Sequence, residues 1–144
     1  MIKMRSALMV PIVISLAACA ATQPGQPSPI ADTERAMILT GTATYLQRIA
    51  LPPEAKLTVR ISDVSRMDAA APVIAETTIM TAGKQVPLAF SLSYDPAKVD
   101  PRGRYAVSAR IEDGAGALIW ITDTHNPLPP AGQTIDLRLV QVRG

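Results

Sequence analysis

Few side chains in this sequence carry chemistry, and their spacing narrows them further. There is one histidine, His125, in the run Thr122-Asp123-Thr124-His125-Asn126. A zinc site needs several imidazole or thiolate ligands in one place, and no second histidine exists to join His125. It therefore reads as a solvated loop side chain. A Ser-His-Asp triad assembles in space and can be spread along a chain. The serines here are scattered, however, and no Gly-x-Ser-x-Gly elbow is present to present one. Asp95 and Asp100 sit beside Pro96 and Pro101. Calcium takes about six to eight oxygen ligands, more than this loop offers, so capping of turns and pairing with Arg102 or Arg104 is the expectation. Asp113-Gly114-Ala115-Gly116 lacks the third glycine and the helix start of a phosphate loop. It reads as a hairpin turn. Trp120 stands as the one candidate for a binding surface, a stacking platform for sugar or an anchor for a protein. Packing in the core, among apolar neighbours, is its other reading. The expectation is a chain that is not an enzyme and holds no metal and no cofactor.

The remaining reactive group is the thiol of Cys19, the single cysteine. An internal disulfide is therefore ruled out. Lys3 and Arg5 precede an apolar run over residues 7–18 that is too short to span a bilayer as a helix, which takes about 20 residues. The run closes on Leu16-Ala17-Ala18-Cys19, which resembles the lipobox of bacterial lipoproteins: an aliphatic residue, two small residues and the cysteine. That resemblance implies a diacylglycerol thioether on Cys19 and an acylated amine after cleavage. Two or more acyl chains suffice for stable anchoring. A second reading also fits, in which ordinary signal peptidase cuts after Ala18-Cys19-Ala20 and leaves a soluble product from Ala21. Ala20 is not aspartate, which points to the outer membrane, facing the periplasm, over retention at the inner membrane.

Lys3 and Arg5 also account for the whole +2 formal charge of the chain. The remainder is balanced, with no electrostatic footprint for nucleic acid or anionic lipid. The five aromatic residues do not interleave with basic ones, so no base-stacking platform is expected. The membrane is reached through the anchor alone. Residues 1–18 read as the lipoprotein signal peptide and 19–35 as the lipidated terminus with a tether rich in proline. Such a tether spans about 20–25 Å as a flexible coil and up to about 50 Å in polyproline form. Residues 36–144 form the domain.

Within that domain the stretch from Gln85 to Ile111 sets the pattern. Val86, Leu88, Phe90 and Leu92 alternate, as do Tyr105, Val107, Ala109 and Ile111, which gives two half-buried strands. Asp95-Pro96 and Asp100-Pro101 interrupt between them, since proline fixes φ and lacks a donor. Asp95 is placed to cap one short helical turn begun by Pro96. Further strands are expected over 37–46, 56–64, 73–81, 117–123 and 134–142, and the central two over 85–93 and 104–112. No window shows the helical period. Seven short strands separated by turns specify an all-β fold, an antiparallel β-sandwich. The expected core is Leu57, Val59, Ile61, Val86, Leu88, Phe90, Leu92, Tyr105, Val107, Ile111, Leu137 and Leu139. Leu118-Ile119-Trp120-Ile121 breaks the alternation, being apolar on both faces.

Several short runs recur in order: Arg48-Ile49-Ala50-Leu51-Pro52-Pro53, Asp63-Val64-Ser65, Ala71-Pro72-Val73-Ile74-Ala75-Glu76, Gly83-Lys84-Gln85-Val86-Pro87, Tyr94-Asp95-Pro96 and Asp100-Pro101-Arg102-Gly103-Arg104-Tyr105-Ala106-Val107. Together they resemble the YbaY/YscW-like lipoprotein family over nearly the whole domain. The resemblance implies a β-sandwich lipoprotein of the bacterial envelope. One branch of that family contains type III secretion pilotins, which escort secretin subunits to the outer membrane. The function expected is therefore a non-catalytic outer-membrane lipoprotein that binds or chaperones an envelope protein. The alternative is a lipoprotein that binds cell-wall or surface glycan through Trp120.

Overall fold

The computed structural model describes residues 36–143. The signal-peptide, Cys19 and tether readings lie outside the described residues. Eight strands form in chain order: β1 Met37–Thr44, β2 Lys56–Asp63, β3 Val73–Met80, β4 Leu88–Tyr94, β5 Tyr105–Glu112, β6 Leu118–Ile121, β7 Thr134–Arg138 and β8 Val140–Gln141. They make two sheets, β4-β1-β7 and β3-β2-β5-β6-β8, packed face to face. The all-β sandwich is thus as the alternation requires.

Two features of the topology depart from expectation. The last predicted strand, 134–142, is two strands in different sheets. Leu139 is the residue at the switch. It is buried, and its N–H donates to the Thr44 carbonyl at 2.8 Å. Ile135, Leu137 and Leu139 keep one alternation through the switch, so the sequence reads as continuous. The second departure is that β7 runs parallel to β1, while every other pair is antiparallel. The chain leaves β6 and returns along the sandwich end through residues 122–133 before starting β7 beside Thr40, midway along β1. Prolines 127, 129 and 130 keep this return out of a regular ladder. It is still fastened, by Val107 N–H to Asn126 O at 2.7 Å and Leu128 N–H to Tyr105 O at 3.0 Å.

The core forms where the alternating positions of both sheets meet. Leu57, Val59, Ile61, Leu92, Val107, Ile111, Leu137 and Leu139 are all but completely buried, and Leu88 and Phe90 nearly so. Val86 and Tyr105, expected in the core, are only half-buried. Val86 precedes Pro87, which has no N–H for a ladder, so β4 begins only at Leu88. Tyr105 instead spends its hydroxyl on the loop before it, where it accepts from the Asp100 N–H at 2.8 Å. Gly41 lies where β1 passes closest to its neighbours. A Cβ there would fall 2.1 Å from the Ile135 carbonyl oxygen and 2.8 Å from the Phe90 ring.

Candidate functional site

The sandwich has one closed side and one open side. β7 and β8 are edge strands of the two sheets, and the continuous chain through Leu139 joins them. On the other side the edges are β3 and β4, which touch but share no ladder. Their seam deepens into a cleft of about 380 Å³ at the end where β1 finishes. Leu57, Ile79 and Leu88 supply apolar walls, while Lys84, Gln85 and Pro87 form the rim. The Thr81 side chain lines it as well. That residue is 1% exposed, and its hydroxyl has no hydrogen-bond partner. A buried hydroxyl left unpaired costs about 1–3 kcal/mol.

Local sequence explains how the cleft is held open. Ala82 and Gly83 take positive φ, 49° and 80°, to turn β3 into the segment before β4. Gly83 does so without a Cβ penalty. Gln85 then reaches across to residues 45–55. Its Oε1 accepts from the Leu51 N–H at 2.7 Å and its Nε2 donates to the Leu51 carbonyl at 3.3 Å. That amide stands in for a ladder partner and fixes the loop carrying Leu46 and Ile49, which are 71% and 48% exposed. Met80, at the end of β3, is 54% exposed. The cleft and these apolar side chains share the end of the sandwich opposite Met37, where the chain comes in.

A second hollow, of about 590 Å³, occupies the Met37 end. Tyr94, Tyr105, His125 and residues of the proline-rich return line it. His125 is exposed in this loop. Among the described residues no three His, Cys, Asp or Glu side chains approach closely enough to hold a metal. The aspartates serve turns. Asp95 Oδ1 accepts from the Ala97 N–H at 2.9 Å and caps a single 3-10 turn, Pro96–Lys98. Asp100 Oδ1 accepts from the Arg102 N–H at 2.8 Å and lies 3.7 Å from the Arg102 Nε. The Arg104 backbone N–H donates to Ser65 Oγ at 2.9 Å. Asp113 Oδ1 accepts from both Ala115 and Ala117 N–H groups at 2.9 Å and closes the β5–β6 hairpin. Asp63 is held below its ordinary pKa, first by the Ser65 hydroxyl and then by the Ser65 N–H.

Trp120 requires a correction. It is 3% exposed and stacks on Tyr45, with ring centroids 3.8 Å apart and planes 5° from parallel. It offers no face to a glycan or a partner. Pairing with Ile111 across β5 turns Trp120 into the core, and Ile121 takes the outward place beside Arg110. On the outer face of the same sheet Ile121 stays exposed, beside Val140 of the neighbouring β8. Tyr45 was the overlooked partner. Leu39, Gly41 and Ala43 alternate inward along β1 and Tyr45 continues the pattern just past its end, masked by the more regular Thr40, Thr42 and Thr44 on the outer face. Burial pushes the Tyr45 phenol above its ordinary pKa, and its hydroxyl donates to the Ile49 carbonyl at 2.5 Å.

The class defined here is a two-sheet β-sandwich, closed on one side by a strand that changes sheet and open on the other. The profile of the family described as "Type III secretion system lipoprotein chaperone (YscW)" matches residues 34–139. The chain belongs to that family. It is 40% identical over 144 residues to the Escherichia coli K12 protein called "Uncharacterized lipoprotein YbaY", an alignment covering 92% of this chain and 75% of the relative. Among solved structures, an alternative pilotin from the type II secretion system of Vibrio cholerae superposes with a TM-score of 0.71. Its identity is 46%, over 76% of this chain and 99% of that one.

Proposed function

We propose that this chain is a non-catalytic lipoprotein of the outer membrane, held by lipid on Cys19 and facing the periplasm, that binds and escorts an envelope protein. The partner class is a secretin subunit or another outer-membrane protein. The observation that carries this reading is the open seam: an apolar cleft between two unpaired strand edges, at the end of the domain opposite Met37. A domain hung from its Met37 end presents that cleft away from lipid. The proline-rich residues 19–35 then act as the tether and residues 1–18 as the removed signal. Family membership and the likeness to a pilotin support the chaperone reading over a glycan-binding one, as does the burial of Trp120.

Photo-crosslinking in intact cells of the native bacterium tests it. Lys84→benzoylphenylalanine in the full-length protein, on the cleft rim and outside β3, is expected to trap a secretin or other outer-membrane protein. The same substitution at Ser91, on the outer face of β4, is expected to trap none. No adduct from the seam, together with unchanged outer-membrane protein assembly in a deletion strain, would refute the partner reading.

A further inference from the structure

We infer that the free edge of β3 is a self-recognition edge, on which a second copy of this chain adds its own β3 antiparallel about a two-fold axis at Thr77. The inference stands on this edge alone and needs no knowledge of any other partner.

Edge strands of native sheets are usually blunted by proline, lysine, inward charge or extreme shortness. The other edges of this sandwich follow that practice in part. β8 has two residues, and β7 carries Asp136 and Arg138. β3 runs for eight residues, Val-Ile-Ala-Glu-Thr-Thr-Ile-Met, with no proline and no lysine. Its one charge, Glu76, points outward and is already engaged by Arg60, with Nε to Oε2 at 2.5 Å. β4 is also uncharged, but its core-facing Leu88, Phe90, Leu92 and Tyr94 are already buried, so pairing there would cover little more. On β3 the core-facing Ala75, Thr77 and Ile79 are only half-buried, and Val73 and Met80 are 50% and 54% exposed. Unpaired ladder groups and uncovered apolar surface coincide on this strand.

The sequence of β3 also selects a register. A two-fold axis perpendicular to the sheet keeps core-facing residues opposite core-facing residues, so the strand can pair with itself only about a residue. The two registers of greatest overlap centre on Glu76 and on Thr77. The first sets Glu76 against the Glu76 of the second copy, and like charges directly opposite are destabilising. The second sets Thr77 against Thr77, Ala75 against Ile79 and Glu76 against Thr78. Threonine pairs and apolar pairs are both favourable across strands, and no charge meets its like. Charge and pattern therefore agree on Thr77.

Two experiments on the full-length protein test this. In native membranes, Thr77→Cys places two thiols opposite each other on the axis, within the Cα separation a disulfide needs. Oxidation is expected to give a crosslinked dimer well above that of wild type, and Ser91→Cys on β4 is expected to give none. In detergent solution, Thr78→Lys sets a cation against Glu76 of the second copy, and Thr78→Glu sets an anion there. Sedimentation equilibrium should show the Lys variant dimerising roughly ten-fold more tightly than the Glu variant, with matching thermal unfolding of the two at concentrations where both are monomeric. Absence of the Thr77→Cys adduct, a Ser91→Cys adduct in its place, or equal dimerisation of the two Thr78 variants would overturn the proposal.

Discussion

Thr81 and Tyr45 are the side chains whose surroundings make the sharpest demands. The Thr81 hydroxyl is buried without a protein partner, at the inner wall of the cleft. Tyr45 gives a pH signature. Its phenol ionises at higher pH in the folded chain than in the unfolded chain, because burial disfavours the charged form. Its contribution is whole below about pH 10, the unfolded value. It is lost as pH climbs from there through the folded value, since the unfolded state releases its proton first. Absorbance titration near 295 nm should show one tyrosine ionising late, and Tyr45→Phe should abolish that late step. Phe90, 4% exposed between β1 and the core, sets the scale for packing. Phe90→Ala is expected to cost about 3–5 kcal/mol in denaturant unfolding.

At the scale of elements, the strands were legible wherever alternation was clean. β2, β4 and β5 fall where Leu57-Val59-Ile61, Leu88-Phe90-Leu92 and Val107-Ala109-Ile111 place them. The Asp95 cap and the Asp113 hairpin were equally readable, because short polar side chains act on their own neighbours. Tertiary choices were not. Nothing local distinguishes Leu139 as a switch between sheets, since its burial comes from both at once. Nothing in β1 announces a parallel partner. Trp120 was ambiguous for the same reason: its apolar neighbours fit a core or a platform, and only the stacking on Tyr45 decides. Two substitutions probe these joints. Gly41→Ala drives a Cβ into the Ile135 carbonyl and should separate β1 from β7, with a loss of about 1–3 kcal/mol or more. Leu139→Ala should cost about 2–5 kcal/mol, and amide exchange should quicken in both β7 and β8, because one residue holds the end of each.

On the scale of the whole molecule, the arrangement is polar along β1. Met37 marks one end and the cleft the other. The lipid anchor proposed at Cys19 gives this polarity its direction. Cys19→Ser should release the protein from membranes or block its processing, read by fractionation and by mass spectrometry of the mature N-terminus. An unacylated terminus at Ala21 in the wild type would exclude the anchor. The sequence carried the anchor motif, the sandwich and the family runs. It was silent on the seam, because an edge is defined by which strand is missing beside it, and that is a property of the assembled sheets.

The position of β1 has a mechanical consequence. β1 is the middle strand of its sheet, gripped by β4 on one side and β7 on the other along most of its length. A pull on the chain upstream of Met37, opposed by a load held at the far cleft, acts along the strand axis. Both ladders then bear the tension in shear, with their hydrogen bonds loaded together. A strand at an edge, tugged sideways, would be peeled one bond at a time. The domain is therefore strongest along the line that joins Met37 to its cleft.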